Sequence, residues 1–519
     1  MVPGHREEPV GPGVRTESDT ATDSLFGTTV ATDLKQRSVR GGVVAVLAQG
    51  LTFVLQTGST IVLARLLSPE DFGLLGMVVA MTGFLTLFRD AGLGLASVQR
   101  EILTREQAST LFWINAAVGA ALTLLAVAMA PLLVVFYKDP RLLAVTIASA
   151  AAFLFSGLAV QHRALLNRAM RFATMAKIDV LALAGGASIA VSMAALGCGY
   201  WALVGMAVGI PVITAAAVWI AMPWLPGRPA RATGVRSMLH VGGAVTLNSL
   251  VVYLAYNTEK ILLGRFWGAE ALGLYGRAYQ LATLPVQQLN ASMSNVAYPA
   301  LSRAQGDAER VRRAFLEGYS VVVSMTIPVT IGCAVFAEEI VRVMLGAKWV
   351  GAAEVLRLLA PAVLGFALVN PFGWFLQATG RVRRSLNMAF LIAAVVILGI
   401  LAGLRHGPTG VALGYSTAMV LLVVPCVAWA IHGTGMTAGD YWDALKRPLV
   451  SGAMAGAAGL HFKFTCEAVL VPIPLLILGL TLMAGVYVLA LLVVMGQKNR
   501  YADLMRQVLQ RNRPAPANS

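Results

Sequence analysis

The chain has 519 residues, of which 57% are hydrophobic and 13% are charged. Soluble domains carry about a quarter charged residues, so this composition excludes a soluble protein and indicates an integral membrane protein. The formal net charge is +15, but the basic residues fall in connections between apolar segments, so nucleic acid is not an expected partner. The four cysteines are scattered, and neither a metal site, a cofactor nor a disulfide framework is indicated.

The chain begins with a polar segment, residues 1–37, that lacks the apolar core of a signal peptide. We interpret it as a disordered cytoplasmic tail. Apolar segments follow, each close to the roughly 20 residues that a spanning helix needs. They are Gly42–Ala64, Phe72–Leu93, Thr110–Val134, Leu142–Val160, Ile178–Leu196, Tyr200–Met222, Val241–Leu263, Leu272–Val296, Leu316–Ala337, Ala352–Leu376, Leu386–Leu404, Thr409–Ile431, Leu449–Phe464 and Val471–Met495. The predicted fold class is therefore all-α: a polytopic membrane protein with about 14 transmembrane helices.

The connections between these segments alternate in charge. Arg381, Arg383 and Arg384 lie in one basic connection, whereas the connection at Gly197–Gly199 has no basic residue. Basic residues are retained on the cytoplasmic side, so the alternation predicts that both termini are cytoplasmic. An even number of spanning helices agrees with that orientation.

One stretch of the chain occurs twice. Ile61–Gly76, IVLARLLSPEDFGLLG, aligns without a gap with Ile261–Gly276, ILLGRFWGAEALGLYG, and the two share Ile, Leu, Arg, Glu, Gly, Leu and Gly. The copies begin six predicted helices apart, so they have the same orientation, and we expect two six-helix lobes around a central cavity. The predicted boundaries are residues 38–222 for the N-terminal lobe, 223–240 for a cytoplasmic linker and 241–431 for the C-terminal lobe. Residues 432–495 are helices 13 and 14, and 496–519 form a cytoplasmic tail.

Polar side chains form a stripe on three of the predicted helices. Exposing polar side chains to the hydrocarbon of the bilayer is unfavourable in free energy, so we expect the stripes to face a cavity or the interior of a helix bundle. The selected residues are Gln56 on the first helix, Tyr256, Asn257 and Lys260 on the seventh, and Arg277 and Gln280 on the eighth. Interhelical hydrogen bonds explain isolated polar residues, but Lys260 and Arg277 each need a partner or water. Pairing of Lys260 with the adjacent Glu259 is the alternative interpretation.

Other charged residues lie at the ends of helices. Arg89 and Asp90 are close to the cytoplasmic end of the second helix, where they can form an interfacial pair. Arg65 and Arg265 occupy equivalent repeat positions, which suits the fixing of a loop or contact with lipid headgroups. Cationic side chains outnumber anionic ones in the expected cavity, and this predicts an anionic substrate.

Several ordered motifs resemble a known family. LARLLSPEDFGLLG, FRDAGLGLASVQRE, STLFWIN, YNTEKILLGRFWGAEALGLYGRAYQLATLPVQQL, NVAYPALSR, LGAKWVGAAEVLRLLAP and ATGR are similar to the polysaccharide-exporter branch of the multidrug/oligosaccharidyl-lipid/polysaccharide flippase superfamily. The resemblance runs from about Ser38 to Arg384 and weakens beyond. It implies a MATE-like fold and a Wzx-type flippase in the bacterial cytoplasmic membrane, similar to colanic acid or succinoglycan exporters.

The resemblance also implies a substrate and partners. Such proteins move undecaprenyl-pyrophosphate-linked oligosaccharides to the outer leaflet by alternating access, in contact with membrane lipids and alongside a polysaccharide polymerase and copolymerase. We assign Lys260 and Arg277 to the diphosphate, with Arg65, Arg265 and Arg89 as weaker choices. Gln56, Tyr256, Asn257 and Gln280 are expected to line the hydrated chamber that a sugar needs. Glu259 and Asp90 are the residues considered for a coupling ion, H⁺ or Na⁺, although the family's usual Asn-x-Asp reads Asn257, Thr258, Glu259 here.

Three alternative functions are compatible with a membrane protein of this kind. A cation-coupled multidrug antiporter of the same superfamily would favour acidic over basic membrane residues, opposite to this chain. A peptidoglycan-precursor flippase shares the fold and the substrate head. A membrane polysaccharide polymerase usually needs a sizeable outer loop with catalytic residues, and the apolar segments here leave no such loop, so the chain is not expected to be an enzyme.

Overall fold

The computed structural model describes residues 34–89, 103–230, 253, 257–287 and 308–498. The regular structure in these ranges is helical throughout, which confirms the all-α prediction. The helices are α1 (Leu34–Leu66), α2 (Pro69–Thr82), α3 (Leu85–Arg89), α4 (Arg105–Tyr137), α5 (Arg141–Arg168), α6 (Phe172–Ala195), α7 (Trp201–Ala221), α8 (257–287), α9 (Ala308–Val335), α10 (Ala337–Met344), α11 (Gly351–Ala378), α12 (Val382–Gly403), α13 (Gly407–Ile431), α14 (Ala438–Cys466) and α15 (Pro472–Leu489).

Nine helical stretches of the described chain are long and apolar enough to cross a membrane. One of them, Val382–Ile431, contains both α12 and α13, which are joined by a short 3₁₀ turn at Leu404–His406. The prediction of a polytopic membrane protein is therefore confirmed. The predicted tail at residues 1–37 lies almost wholly outside the described residues, as do most of the linker at 223–240 and of the C-terminal tail.

By its contacts the chain divides into two units. The first contains the described residues of Met1–Thr60, Thr82–Val134 and Pro140–Leu250, and the second contains those of Ile61–Met81, Val135–Asp139 and Val251–Ser519. The first copy of the repeat thus belongs by its contacts to the second unit, although it precedes most of the first unit in sequence. The two six-helix lobes and their boundaries stay a prediction.

The first unit has an aromatic core at one end of α4, α5 and α7. Phe112, His162, Trp219 and Trp224 pack together, and the His162 ring is stacked on Trp219 with ring centroids 4.4 Å apart. His162 Nε2 lies 3.1 Å from the carbonyl oxygen of Trp224, so this buried imidazole fixes the chain just after α7. This core positions α7 against α5, and α6 packs along α7.

In the second unit the two copies of the repeat touch each other reciprocally. A Cβ added to Gly73 would lie 1.7 Å from the carbonyl oxygen of Ala269, and one added to Gly273 would lie 1.9 Å from that of Pro69. Pro69 and Ala269 are equivalent in the repeat, and so are Gly73 and Gly273. The two contacts are therefore related as in a local two-fold interface, and each depends on a glycine. This close approach explains why both glycines are retained in the two copies.

A second repeated feature was not predicted from the sequence. The chain leaves α5 at Met170 with φ of 53° and leaves α11 at Gly380 with φ of 76°. In each case the next N–H, of Arg171 or Arg381, bonds to the carbonyl five residues earlier, at 3.0 Å and 2.7 Å respectively. These are Schellman helix ends.

Both arginines then cap another helix. The Arg171 guanidinium donates to the carbonyl oxygen of Ala221 at the end of α7, at 3.3 Å. The Arg381 guanidinium donates to the carbonyl oxygens of His432 and Gly433, just past α13. A cation at the carbonyl end of a helix satisfies orphan acceptors and complements the helix dipole. The repeat thus extends to α5–α7 and α11–α13.

The second half differs from the first by an inserted helix. Three residues, Lys138–Pro140, separate α4 from α5, whereas α10 and a 3₁₀ turn, Ala347–Trp349, separate α9 from α11. The hydropathy pattern predicts no helix between Ala337 and Ala352. Glu339 of α10 forms a buried ion pair with Lys463 of α14, with Nζ 2.7 Å from Oε1. The inserted helix therefore docks the appended C-terminal helices.

A second ion pair joins the opposite end of α14 to α9. The Arg312 guanidinium lies 2.8 Å from Oδ2 of Asp440, which also caps α14 through reciprocal bonds with Thr437. The hydrogen bond from Arg312, followed by the bonds from Thr437, lowers the pKa of Asp440 to about 2. This pair lies outside the apolar part of α14.

Gly73→Ala should destabilise the protein, because its Cβ would overlap the backbone of Ala269. Overpacking at such a site costs about 1–3 kcal/mol. The matched control is Gly276→Ala in the same motif, where a Cβ meets nothing within 4 Å. Thermal midpoints of the detergent-purified proteins should fall for Gly73→Ala and not for the control; equal midpoints would contradict the reciprocal contact.

Asp440→Asn should destabilise the protein in a pH-dependent manner. An unfolded aspartate has a pKa of about 3.9. Because the folded pKa is lower, the stabilisation is present above about pH 4 and is lost as the pH falls towards 2. The difference in thermal midpoint between wild type and variant should thus be larger at pH 7 than at pH 3. Asp443→Asn, which removes an exposed partner of Lys446, is the control and should change little at either pH.

Candidate functional site

The second unit contains a cavity of about 450 Å³. Three helices line it, α8, α11 and α13, with a mixture of apolar, aromatic and hydrogen-bonding side chains. The lining residues are Asn257, Lys260, Tyr279, Thr283, Val286, Gln287, Ala362, Val363, Phe366, Asn370 and Tyr415. Its volume is in the range of small-ligand sites, about 300–1,000 Å³.

Lys260 is the charged residue among those lining the cavity. Its ammonium group donates to Asn257 Oδ1 at 2.9 Å and lies 5.6 Å from the centre of the Tyr279 ring. Asn257 Nδ2 donates in turn to the carbonyl oxygen of Tyr253 at 2.9 Å, one turn earlier. Asn257 therefore holds the lysine side chain in place, and the cavity has a positive end.

The course of α8 brings Lys260 and Tyr279 together. Gly268 has φ of 82°, a left-handed conformation that glycine adopts readily. It divides α8 into a first arm, residues 257–267, and a second arm, residues 269–287. Lys260 lies before this glycine and Tyr279 lies after it, so both arms contribute to one wall of the cavity.

Two prolines bracket the part of α11 that lines the cavity. Pro361 and Pro371 lie inside the helix, and the lining residues run from Ala362 to Asn370 between them. Proline cannot donate a backbone hydrogen bond, and its ring displaces the preceding turn, so each one bends the helix.

Arg277 and Gln280 are not among the residues that line the cavity. The Arg277 guanidinium donates to Gln280 Oε1 at 2.5 Å and lies 4.5 Å from the centre of the Phe72 ring. Its Nε is buried and makes no hydrogen bond within the described part of the chain. The structure thus places Arg277 against the first copy of the repeat, beside the reciprocal glycine contact.

Glu259 is 2% exposed and does not line the cavity. In the ranges that the structure describes, it forms no ion pair with Lys260, so the alternative of an internal Lys260–Glu259 pair is not what the structure shows. Glu259 interacts electrostatically with Lys260, Tyr253 and Tyr275. The carboxyl group is therefore enclosed by protein and does not itself line the cavity.

Arg65 and Arg265 lie at helix ends and have structural partners. Arg65 donates to the carbonyl oxygen of Val343 in the last turn of α10 at 2.7 Å. The Arg265 guanidinium lies over the rings of Phe136 and Phe266, at 5.7 Å and 5.9 Å. These contacts favour the interpretation that the repeated arginine fixes neighbouring segments.

The remaining predicted site residues are not brought into the cavity. Gln56 is exposed in α1, and its carbonyl oxygen accepts bonds from Ser59 and Thr60. Arg89 ends α3, and its side chain lies outside the described part of the structure, as do Asp90 and Tyr256. Of the predicted substrate residues, Asn257 and Lys260 line the cavity together.

Several lining residues were missed by the sequence analysis. Asn370, Phe366 and Tyr415 lie on apolar helices as isolated polar or aromatic residues, so no stripe marks them. The one available signal was the Asn370–Pro371 dipeptide, since a proline inside a membrane helix often marks a bend. Gln287 is on the eighth predicted helix and shares the polar stripe of Arg277 and Gln280.

The tandem helical repeat, the apolar spans and a lysine-lined cavity between helices define a multi-pass membrane protein with a transporter fold. The chain belongs to the polysaccharide biosynthesis protein family, whose model matches residues 62–354, more than half of its length.

Characterised relatives cover most of the chain. Teichuronic acid biosynthesis protein TuaB of Bacillus subtilis is 25% identical over 410 residues, covering 74% of this chain and 80% of its own. Lipopolysaccharide biosynthesis protein WzxC of Escherichia coli is 27% identical over 398 residues, covering 75% and 80%. Succinoglycan biosynthesis transport protein ExoT of Rhizobium meliloti is 26% identical over 361 residues, covering 69% and 72%.

Solved structures show the same fold at low sequence identity. The lipid II flippase MurJ in an inward closed conformation matches with a TM-score of 0.70 at 13% identity, covering 89% of this chain and 100% of MurJ. An inward-facing multidrug resistance MATE family transporter matches with a TM-score of 0.58 at 14% identity, covering 78% and 99%. The predicted MATE-like fold is therefore confirmed.

Proposed function

We propose that the protein is a flippase that translocates undecaprenyl-pyrophosphate-linked oligosaccharide units across the bacterial cytoplasmic membrane by alternating access. The observation that supports this most directly is Lys260, which supplies positive charge to a polar cavity inside a membrane helix bundle. Membership of the polysaccharide biosynthesis family supports a substrate that is a polysaccharide precursor. The exported units would serve the synthesis of an exopolysaccharide or O-antigen.

The negative charge of the substrate explains why a lysine would be needed in the cavity. A lipid diphosphate must leave water and enter a region of low dielectric constant, where an uncompensated charge is very costly. An ammonium group has three N–H donors, and Asn257 takes one of them. The others can replace water around a phosphate oxygen. Asn257 and Tyr279 keep the group oriented without neutralising it, since neither is a carboxylate.

The same charge disfavours the alternative of a multidrug antiporter for cationic compounds. A cationic drug in this cavity would be repelled by Lys260, and the carboxylate of Glu259 does not line the wall. The MATE likeness concerns the fold, and folds of this kind support different substrates.

Arg277 has a second role in this proposal. Its guanidinium stacks on Phe72 and donates to Gln280, and these contacts hold α8 against the first copy of the repeat. In another state of the transport cycle its free Nε is a donor for the diphosphate. Arg65 and Arg265 are then structural residues, and Arg89 stays a weaker choice for headgroup contact.

Glu259 is the proposed coupling residue. Burial of an ionised carboxyl group without a cation is unfavourable, so binding of H⁺ or Na⁺ would neutralise it and change the stability of the surrounding helices. Asp90 is the second choice. Both termini are proposed to be cytoplasmic, and a polymerase and copolymerase are the proposed partners at the membrane.

Lys260→Met should abolish export while leaving the amount of protein in the membrane unchanged. Truncating one member of a buried charge pair costs about 2 kcal/mol or more, or about 30-fold in affinity. The experiment complements a deletion strain and measures lipid-linked oligosaccharides by mass spectrometry beside secreted polymer. Accumulated undecaprenyl-diphosphate oligosaccharide with loss of polymer is the expected result.

Two variants control this experiment. Lys348→Ala removes an exposed lysine from the 3₁₀ turn after α10 and should export normally. Lys260→Arg keeps the charge and should restore part of the export. Normal polymer from Lys260→Met, or an unchanged lipid-linked pool in the deletion strain, would refute the proposed function.

A further inference from the structure

The cavity has two chemically different ends. Tyr279 and Gln287 are two turns apart on α8, and Ala362 and Asn370 are two turns apart on α11, each about 12 Å along the helix. Tyr415 of α13 contacts Tyr279, with ring centroids 6.4 Å apart. This aromatic contact and Lys260 mark one end of the cavity.

The helices are aligned by a second contact at this end. Ser416, the residue after Tyr415, donates to the carbonyl oxygen of Leu358 on α11, one turn before Ala362. Tyr279, Tyr415 and Ala362 are therefore at similar depth. Gln287 and Asn370 both line the cavity two turns further along α8 and α11, and they mark its other end.

The end of the cavity lined by Gln287 and Asn370, the amide end, has hydrogen-bonding groups without a partner among the described residues. Neither the Gln287 nor the Asn370 side chain forms a hydrogen bond to another described residue, in contrast to Asn257, whose oxygen and nitrogen are both engaged. Each carboxamide offers two N–H donors and one acceptor oxygen. Phe366 lies one turn before Asn370 and adds an apolar ring to the same part of the wall.

We propose that this amide end is a sugar subsite: Asn370 and Gln287 bind hydroxyl groups of the first sugar attached to the diphosphate, and Phe366 packs against its apolar face. This inference rests on the proposed function, which places the diphosphate at Lys260. A carboxamide presents a donor and an acceptor side by side, so it can bind two adjacent hydroxyl groups at once.

The position of Asn370 favours selectivity. It immediately precedes Pro371, so its backbone is held at the bend of α11 while its side chain lines the cavity. A site that hydrogen-bonds a substrate hydroxyl discriminates strongly against an analogue that lacks it, because its own polar groups are left unpaired. Asn370 is therefore a specificity-determining residue for the glycan.

The test measures binding to the full-length protein in lipid nanodiscs. The probes are farnesyl diphosphate alone and the same diphosphate linked to glucose, galactose or N-acetylglucosamine. Wild type should bind at least one glycosylated probe about tenfold more tightly than the bare diphosphate. Asn370→Leu should lose that gain and keep wild-type affinity for the bare probe, which also shows that the variant is folded.

Controls separate this inference from the proposed function. Gln377→Leu removes an exposed amide from the same helix and should change neither affinity. The sugar subsite is refuted if no glycosylated probe binds more tightly than the bare one, or if the gain survives in both Asn370→Leu and Gln287→Leu. If the bare diphosphate fails to bind wild type, or binds Lys260→Met equally well, the diphosphate site itself is refuted, and the subsite with it.

Discussion

The close backbone contact between the two copies of the repeat is the constraint on which the second unit depends. With no side chain at Gly73 or Gly273, α2 and the second arm of α8 approach until backbone meets backbone. Phe72, next to Gly73, then lies between Arg277 and Trp349, at 4.5 Å and 5.3 Å. Trp349 in turn donates to the carbonyl oxygen of Ala64 at 2.8 Å. The backbone contact thus positions two residues: Arg277, and Trp349 in the segment after α10.

The two copies of the repeat share a scaffold and differ in charge. The positions equivalent to Lys260 and Arg277 are Thr60 and Met77 in the first copy, and Met77 is buried. Gly73 and Gly273, which permit the close backbone contact, are the same in both copies. The positions of Lys260 and Arg277, in contrast, are cationic in the second copy alone. The two copies thus share a framework and differ in a few side chains. The inserted α10 and its ion pair with Lys463 further distinguish the second half.

The sequence predicted the fold class, the repeat and the lysine of the cavity, because each follows from a strong pattern. Hydropathy gave the spans, gap-free identities gave the repeat, and the cost of a membrane charge selected Lys260. The sequence did not predict which neighbouring residues each polar side chain contacts. Arg277 and Gln280 lie on the same stripe as Gln287, yet they bond to each other beneath Phe72. A stripe defines one face of a helix, and the neighbouring helix decides what that face meets.

The separation of Glu259 from Lys260 has a consequence for binding. A lysine that is permanently paired with a carboxylate must give up that pair before it can bind a phosphate, so much of the gain is lost. Here the direct partners of the ammonium group are an amide and an aromatic ring, so within the described residues no ion pair has to break before a phosphate can bind. The carboxyl group next to it in sequence is buried and does not line the cavity, although it interacts electrostatically with Lys260. Consecutive residues of a helix project about 100° apart, so the lysine can line the cavity while the neighbouring carboxyl group is covered by protein.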